Sequence, residues 1–162
     1  MAQSNGQLGK SALHVAYYLI HNSNVRLTPL HIGKLVFFSH GWNLGIFGRP
    51  LISDIVEAWR YGPVIPSVYH AFQKYGNDRI SPDILYGKDD VENLFTDDEK
   101  TIMDRVIEVY NKKRGDELIA ITHVEGSPWE EYYVKDQHYT EIPNDVIEAY
   151  YNKKAKSDDP QN

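Results

Sequence analysis

Between Thr28 and Phe47 the apolar positions fall on every side of a 3.6-residue wheel rather than on one stripe. Leu30, Ile32, Leu35, Val36, Phe37, Phe38, Trp42, Leu44 and Ile46 together predict a buried central helix. Thr28 supplies an N-cap and Pro29 the first helical position, where a missing N–H costs nothing. The one thin face carries Lys34, Gly41 and Gly45, so another segment can approach there. Gly48, Arg49 and Pro50 end the helix, and a β-branched and aromatic run from Ile55 to Tyr61 predicts a strand or small hairpin. Gly62-Pro63-Val64-Ile65-Pro66 reads as a stiff turn, with Gly62 free to take an unusual φ and each proline pushing its predecessor out of the α region.

Amphipathic patterns flank this centre. Ser11 caps a helix from Ala12 to about Asn22, with Leu13, Ala16, Tyr17 and Ile20 on one face and His14, Tyr18 and His21 on another. The second set is either a polar flank or a metal or proton-relay row, and no third histidine or carboxylate stands at a ligand spacing. Pro66 starts a helix through Val68, Tyr69, Phe72 and Gln73 that stops at Gly76-Asn77. From Asp78 to Asn93 the pattern weakens into a surface excursion. Thr96-Asp97-Asp98-Glu99 is a capping box for a helix with Ile102, Val106, Val109 and Tyr110 inward and Met103 and Ile107 at the edge. Lys112-Lys113-Arg114-Gly115 closes it; those cations either complement the helix dipole or form a nucleic-acid patch. Asp116 caps a short helix ending near Thr122-His123, and Ser127-Pro128-Trp129-Glu130 is a second capping box. A last helix spans about Pro143 to Lys154, with Val146, Ala149 and Tyr150 inward and Ile147 and Tyr151 flanking. The expected architecture is mainly α: a compact single-domain helical bundle with a small β-strand or hairpin after the central helix, a flexible stretch over 1–10, one domain over 11–156 and a disordered tail over 157–162.

Composition narrows the chemistry. Seventeen Lys and Arg against 23 Asp and Glu leave a net charge of −6, which disfavours a duplex phosphate backbone as the main partner. With no cysteine, a disulfide framework, a thiolate metal cluster and a cysteine nucleophile are all excluded. MAQSNGQLGK lacks the apolar core of a signal peptide and no uninterrupted apolar run reaches ~18 residues, so the expectation is a cytoplasmic protein without a membrane span. Phosphate-cradling, dinucleotide, zinc-protease and nucleophile-elbow motifs are missing, and neither a cofactor nor a metal is expected. Twelve tyrosines supply interface anchors at low rotamer cost.

Lys34-Leu-Val-Phe-Phe, Gly41-Trp42, Gly48-Arg49-Pro50, Glu57-Ala-Trp59-Arg-Tyr61-Gly62-Pro63-Val64-Ile-Pro66 and Tyr69, then Thr122-His123 and Ser127-Pro128-Trp129, resemble the Panacea domain, the SocA-like and GepA-like phage-associated family. The likeness spans about Leu8 to Tyr151. It implies an antitoxin that neutralises a cognate protein toxin encoded nearby by direct binding, through occlusion or chaperone-like holding, or as an adaptor to a ClpXP-type protease. No chemistry is then required. A surface around Glu57, Trp59, Tyr61 and Tyr69, joined by His123 and Trp129, is the candidate partner site; Lys34, Trp42, Gly62, Pro63, Pro66, Thr122 and Pro128 are the structural motif positions. Lys34, in so apolar a segment, must snorkel or pair, with Glu57 the nearest candidate in the motif. His123 is either a hydrogen-bonded joint or a general base, and no nucleophile can be named for it from spacing. The alternatives are a DNA-binding regulator built on the first two helices, a phage-encoded host-interaction protein, and an enzyme using His123.

Overall fold

The computed structural model describes residues 9–84, 87–135, 137 and 140–157. Helix α1 (Ala12–Asn22) leads to the central α2 (Pro29–Phe47), then a hairpin of β1 (Glu57–Trp59) and β2 (Gly62–Val64). Next come α3 (Pro66–Phe72), two 3₁₀ turns (Gln73–Tyr75 and Pro82–Ile84) and α4 (Lys88–Glu92). Helices α5 (Asp97–Tyr110), α6 (Gly115–Thr122) and α7 (Pro128–Tyr132), strand β3 (Thr140–Glu141) and α8 (Asn144–Ala155) complete the order. The fold is mainly α, as the pattern predicts.

From His31 to Gly45 helix α2 is buried except at half-buried Gly33 and Trp42, with α8 its most extensive neighbour. The thin face is where α8 crosses. A Cβ on Gly41 would stand 2.4 Å from the Tyr151 ring, and one on Gly45 would stand 2.6 Å from the Tyr151 backbone. Asn152 Nδ2 also donates to the Gly45 carbonyl at 3.0 Å, so the two helices touch backbone to side chain. Thr28 caps α2 by accepting from the His31 N–H, and Gly48 closes it at φ 69°, the left-handed C-cap that glycine takes without strain. Buried His40 ties three segments: its Nε2 pairs with Asn144 Oδ1 at 2.9 Å, while Nδ1 accepts from the Leu51 and Ile52 amides. Burial pulls its pKa down to about 4 against the opposing pull of Asn144 and Asp54, so the ring is neutral near pH 7.

Several local expectations are corrected. In α5, Met103 and Ile107 are core residues while Val109 is exposed, because the helix is rolled toward α1 and α2. In α8 the inward side chains are Ile147 and Tyr151, and Ala149 faces out. The weak stretch after Asp78 contains α4, whose Val91 is buried against α1. Gly115 opens α6 instead of ending α5; Glu117 accepts from the Arg114 N–H, so the cap sits two residues before Asp116. The second capping box is split, Ser127 accepting from the Glu130 N–H and Glu130 from the Gly126 N–H. Tyr18 leaves the polar row of α1: it is buried and donates to Asp104 at 2.7 Å. Among the described residues no three His, Asp or Glu side chains are grouped to hold a metal, and no helix is long and apolar enough to cross a membrane.

Lys10, in the stretch expected to be flexible, pairs with residues 51–53 through backbone bonds and with Glu99 through an ion pair of 2.9 Å. The rest of that stretch, from 1 to 8, lies outside the described residues, as does 158–162 of the expected tail.

Candidate functional site

The predicted turn after Tyr61 is a strand. Gly62–Val64 forms β2, the outer edge of a three-stranded antiparallel sheet ordered β2-β1-β3, with Trp59 opposite Gly62, Ala58 opposite Pro63 and Arg60-Tyr61 as the two-residue loop. Pro63 lacks an N–H, and an edge strand is where a sheet tolerates that. Its carbonyl receives a bond from Lys34 Nζ at 3.3 Å. Lys34 is therefore held by β2 and not by Glu57, whose Oε1 instead accepts from the Trp59 indole at 2.9 Å. Buried to 4% exposure, the lysine has its pKa lowered to about 8 by desolvation.

Gly62 is where the motif closes. Its φ is 121°, and a Cβ there would lie 2.8 Å from Lys34 Nζ and 2.9 Å from Thr122 Oγ1. No other residue fits either the dihedral or the space. Thr122 donates to the Ile119 carbonyl at 2.8 Å within the last turn of α6, and His123 follows as the C-cap. The His123 ring lies flat on Trp129, centroids 3.7 Å apart, and Trp129 stacks in turn on Tyr133. Trp129 Nε1 donates to the Trp59 carbonyl at 2.6 Å, clamping α7 to the end of β1. Pro128 sets the first turn of α7 that aims this indole. Burial, then the charge of Lys34, pulls the His123 pKa below the ordinary histidine value, against a smaller upward pull from the Tyr61 backbone. Its Nε2 is buried without a hydrogen-bond partner of normal geometry.

On the other side of the hairpin, α2, β2 and α3 enclose a groove of about 590 Å³ walled by Leu30, Gly33, Lys34, Trp59, Tyr61, Pro63, Val68, Tyr69 and Phe72. Tyr61 is 58% exposed, Tyr69 46% and Leu30 37%, all at its rim. Trp59 meets Tyr69 edge to face at 5.0 Å, so the two rings form one wall. Pro66 starts α3 and thereby places Val68, Tyr69 and Phe72.

The expected partner residues thus divide. Trp59, Tyr61 and Tyr69 line the groove; Glu57 is not in its lining but holds the Trp59 indole from the same face of β1, and Trp129, with His123 stacked on it, clamps the hairpin through the Trp59 carbonyl. Trp42 belongs to neither group, since it packs 5.0 Å from Tyr151 and donates to the Tyr110 hydroxyl on the far side of α2. Sequence reasoning missed Leu30, Gly33 and Arg60 as groove residues. The signal was present in the i, i+3, i+4 spacing of Leu30, Gly33 and Lys34 on one face of α2.

Two separated motifs, Lys34 with Glu57–Pro66 and Thr122–Trp129, meet across Gly62 beside an aromatic-walled groove, which defines a mainly α domain built around a braced hairpin. The residues from 32 to 130 match the family described as antitoxin SocA-like, Panacea domain, and the chain belongs to that family. It is 34% identical over 113 residues to antitoxin SocA of Caulobacter vibrioides (strain NA1000 / CB15N), a match that spans 66% of this chain and 60% of that protein. No solved structure matches the chain significantly.

Proposed function

We propose that this protein neutralises a protein toxin encoded nearby by holding it directly against the hairpin and its groove. Membership of an antitoxin family supports the role. The observation that supports the place is the grouping of exposed Leu30, Tyr61 and Tyr69 around one aromatic-walled groove. The mechanism is occlusion, with no reaction on the toxin. Neutral, stacked His123 serves as a joint between α6, α7 and the hairpin. Net acidity favours encounter with a basic toxin, of the kind that acts on RNA or on the translation machinery in the cytoplasm.

Co-expression with the adjacent open reading frame tests this: growth arrest by that product is relieved and the two proteins co-purify. Persistent arrest with no complex removes the assignment. A fall in toxin level that requires a ClpXP-type protease would show delivery in addition to holding. The DNA-binding alternative loses its recognition helix, because α2 is buried and cannot enter a major groove.

A further inference from the structure

Lys34 stands in the groove wall with a charge that the fold does not neutralise. Its Nζ makes a single long bond to a backbone carbonyl, and among the described residues no carboxylate forms an ion pair with it. An ammonium carries three donors, and a buried one without a counter-charge is costly. A methionine of similar length would fill the same space without that cost, so packing alone does not explain the lysine. The groove as a whole repeats the imbalance: its lining holds Lys34 and Arg60 and not one Asp or Glu, in a chain of net charge −6.

We propose that the groove receives an extended segment of the toxin in which an Asp or Glu side chain, flanked by apolar residues, sets its carboxylate on Lys34 Nζ while the flanking side chains lie on Trp59, Tyr69 and Phe72. This rests on the direct toxin binding set out above and specifies its chemistry. The two electrostatic roles are distinct. The acidic surface steers a basic partner, and the buried cation fixes the register of one segment by a charge-assisted bond in a desolvated slot.

The test titrates the full chain with acetyl-Phe-Asp-Phe-amide and with its Asn counterpart, followed by NMR at the Trp59 indole and the Gly62 and Val64 amides. Two variants accompany the wild type. Lys34→Met removes the charge at constant volume. Gly33→Leu projects into the groove from a position where an added Cβ meets nothing within 4 Å, and its amide spectrum and urea midpoint check that the fold is kept. The Asp peptide is expected to bind at least tenfold tighter than the Asn peptide, a preference that Lys34→Met abolishes, and Gly33→Leu is expected to abolish binding of both. Equal affinity for the two peptides, a preference that survives Lys34→Met, or no binding of the Asp peptide overturns the inference. So does equal binding of acetyl-Phe-Phe with a free C-terminal carboxylate, which would assign the site to a chain end. In parallel, the adjacent gene product is mixed with wild type and with Lys34→Met. Failure of the wild type to bind it strikes the antitoxin reading; equal binding by both strikes the carboxylate contact alone.

Discussion

Lys34 and His40 are the two residues whose burial has the clearest thermodynamic consequence. The unfolded chain keeps the lysine proton to about pH 10.4, the folded one only to about 8, so between those values the unfolded state binds more protons and stability rises with pH. Below pH 8 the buried charge costs on the order of 3 kcal/mol. Lys34→Met is therefore expected to be more stable than wild type at pH 7, with the gap shrinking toward pH 10, in urea unfolding of the pair. The comparison cancels Tyr110, Tyr150 and Tyr151, whose burial-raised pKa values weaken both proteins at higher pH. A gap that does not change with pH would contradict the unpaired ammonium. For His40 the same sign operates on the acid side: the unfolded ring takes a proton near 6.5, the folded one only near 4, so stability is lost as pH falls between them, by on the order of 3 kcal/mol. His40→Gln, measured from pH 7 to 4, should start less stable and show a flatter decline. An equal slope would mean that another group carries the acid loss.

At the scale of elements, the crossing of α2 and α8 and the clamp of α7 on β1 carry the architecture. Gly45→Ala forces a Cβ into the Tyr151 and Asn152 backbone and is expected to cost about 1–3 kcal/mol, read as a lower unfolding midpoint. Gly33→Ala, in the same helix but facing open space, should instead gain about 0.5–1 kcal/mol. These opposite signs within one helix separate close approach from mere absence of a side chain. That some segment approaches α2 closely was legible in the spacing of Gly41 and Gly45, but that the segment is α8 was not, because no local pattern names the partner. The strand character of Gly62–Val64 was not. Local chemistry there is that of a turn, and only pairing with Ala58 and Trp59, together with the Lys34 bond from α2, makes it an edge strand. The inward faces of α5 and α8 were misjudged for a related reason: with apolar residues on nearly adjacent positions, the choice between Val109 and Ile107, or Tyr150 and Tyr151, is made by the partner helix. The motif residues were found by resemblance, but their division into groove wall and brace needed the three-dimensional arrangement.

Taken whole, the molecule is an acidic helical body with a cationic, aromatic groove whose hairpin wall is supported by His123 and Trp129. If a basic toxin is steered by the net charge, its association rate should fall steeply as salt rises while the dissociation rate changes little, because the anchor is desolvated. Rates measured by surface resonance across a salt series check this; an off-rate that carries the whole salt effect would place the main charge contacts at an exposed rim. The most direct measurement is amide hydrogen exchange of this protein alone and saturated with the adjacent gene product. Direct holding at the groove predicts slowed exchange over Trp59–Val64, over Pro66–Tyr75 and in the first turns of α2, with α5 and α8 unchanged. Slowing confined to α5 and α8, or no complex to measure, would contradict it.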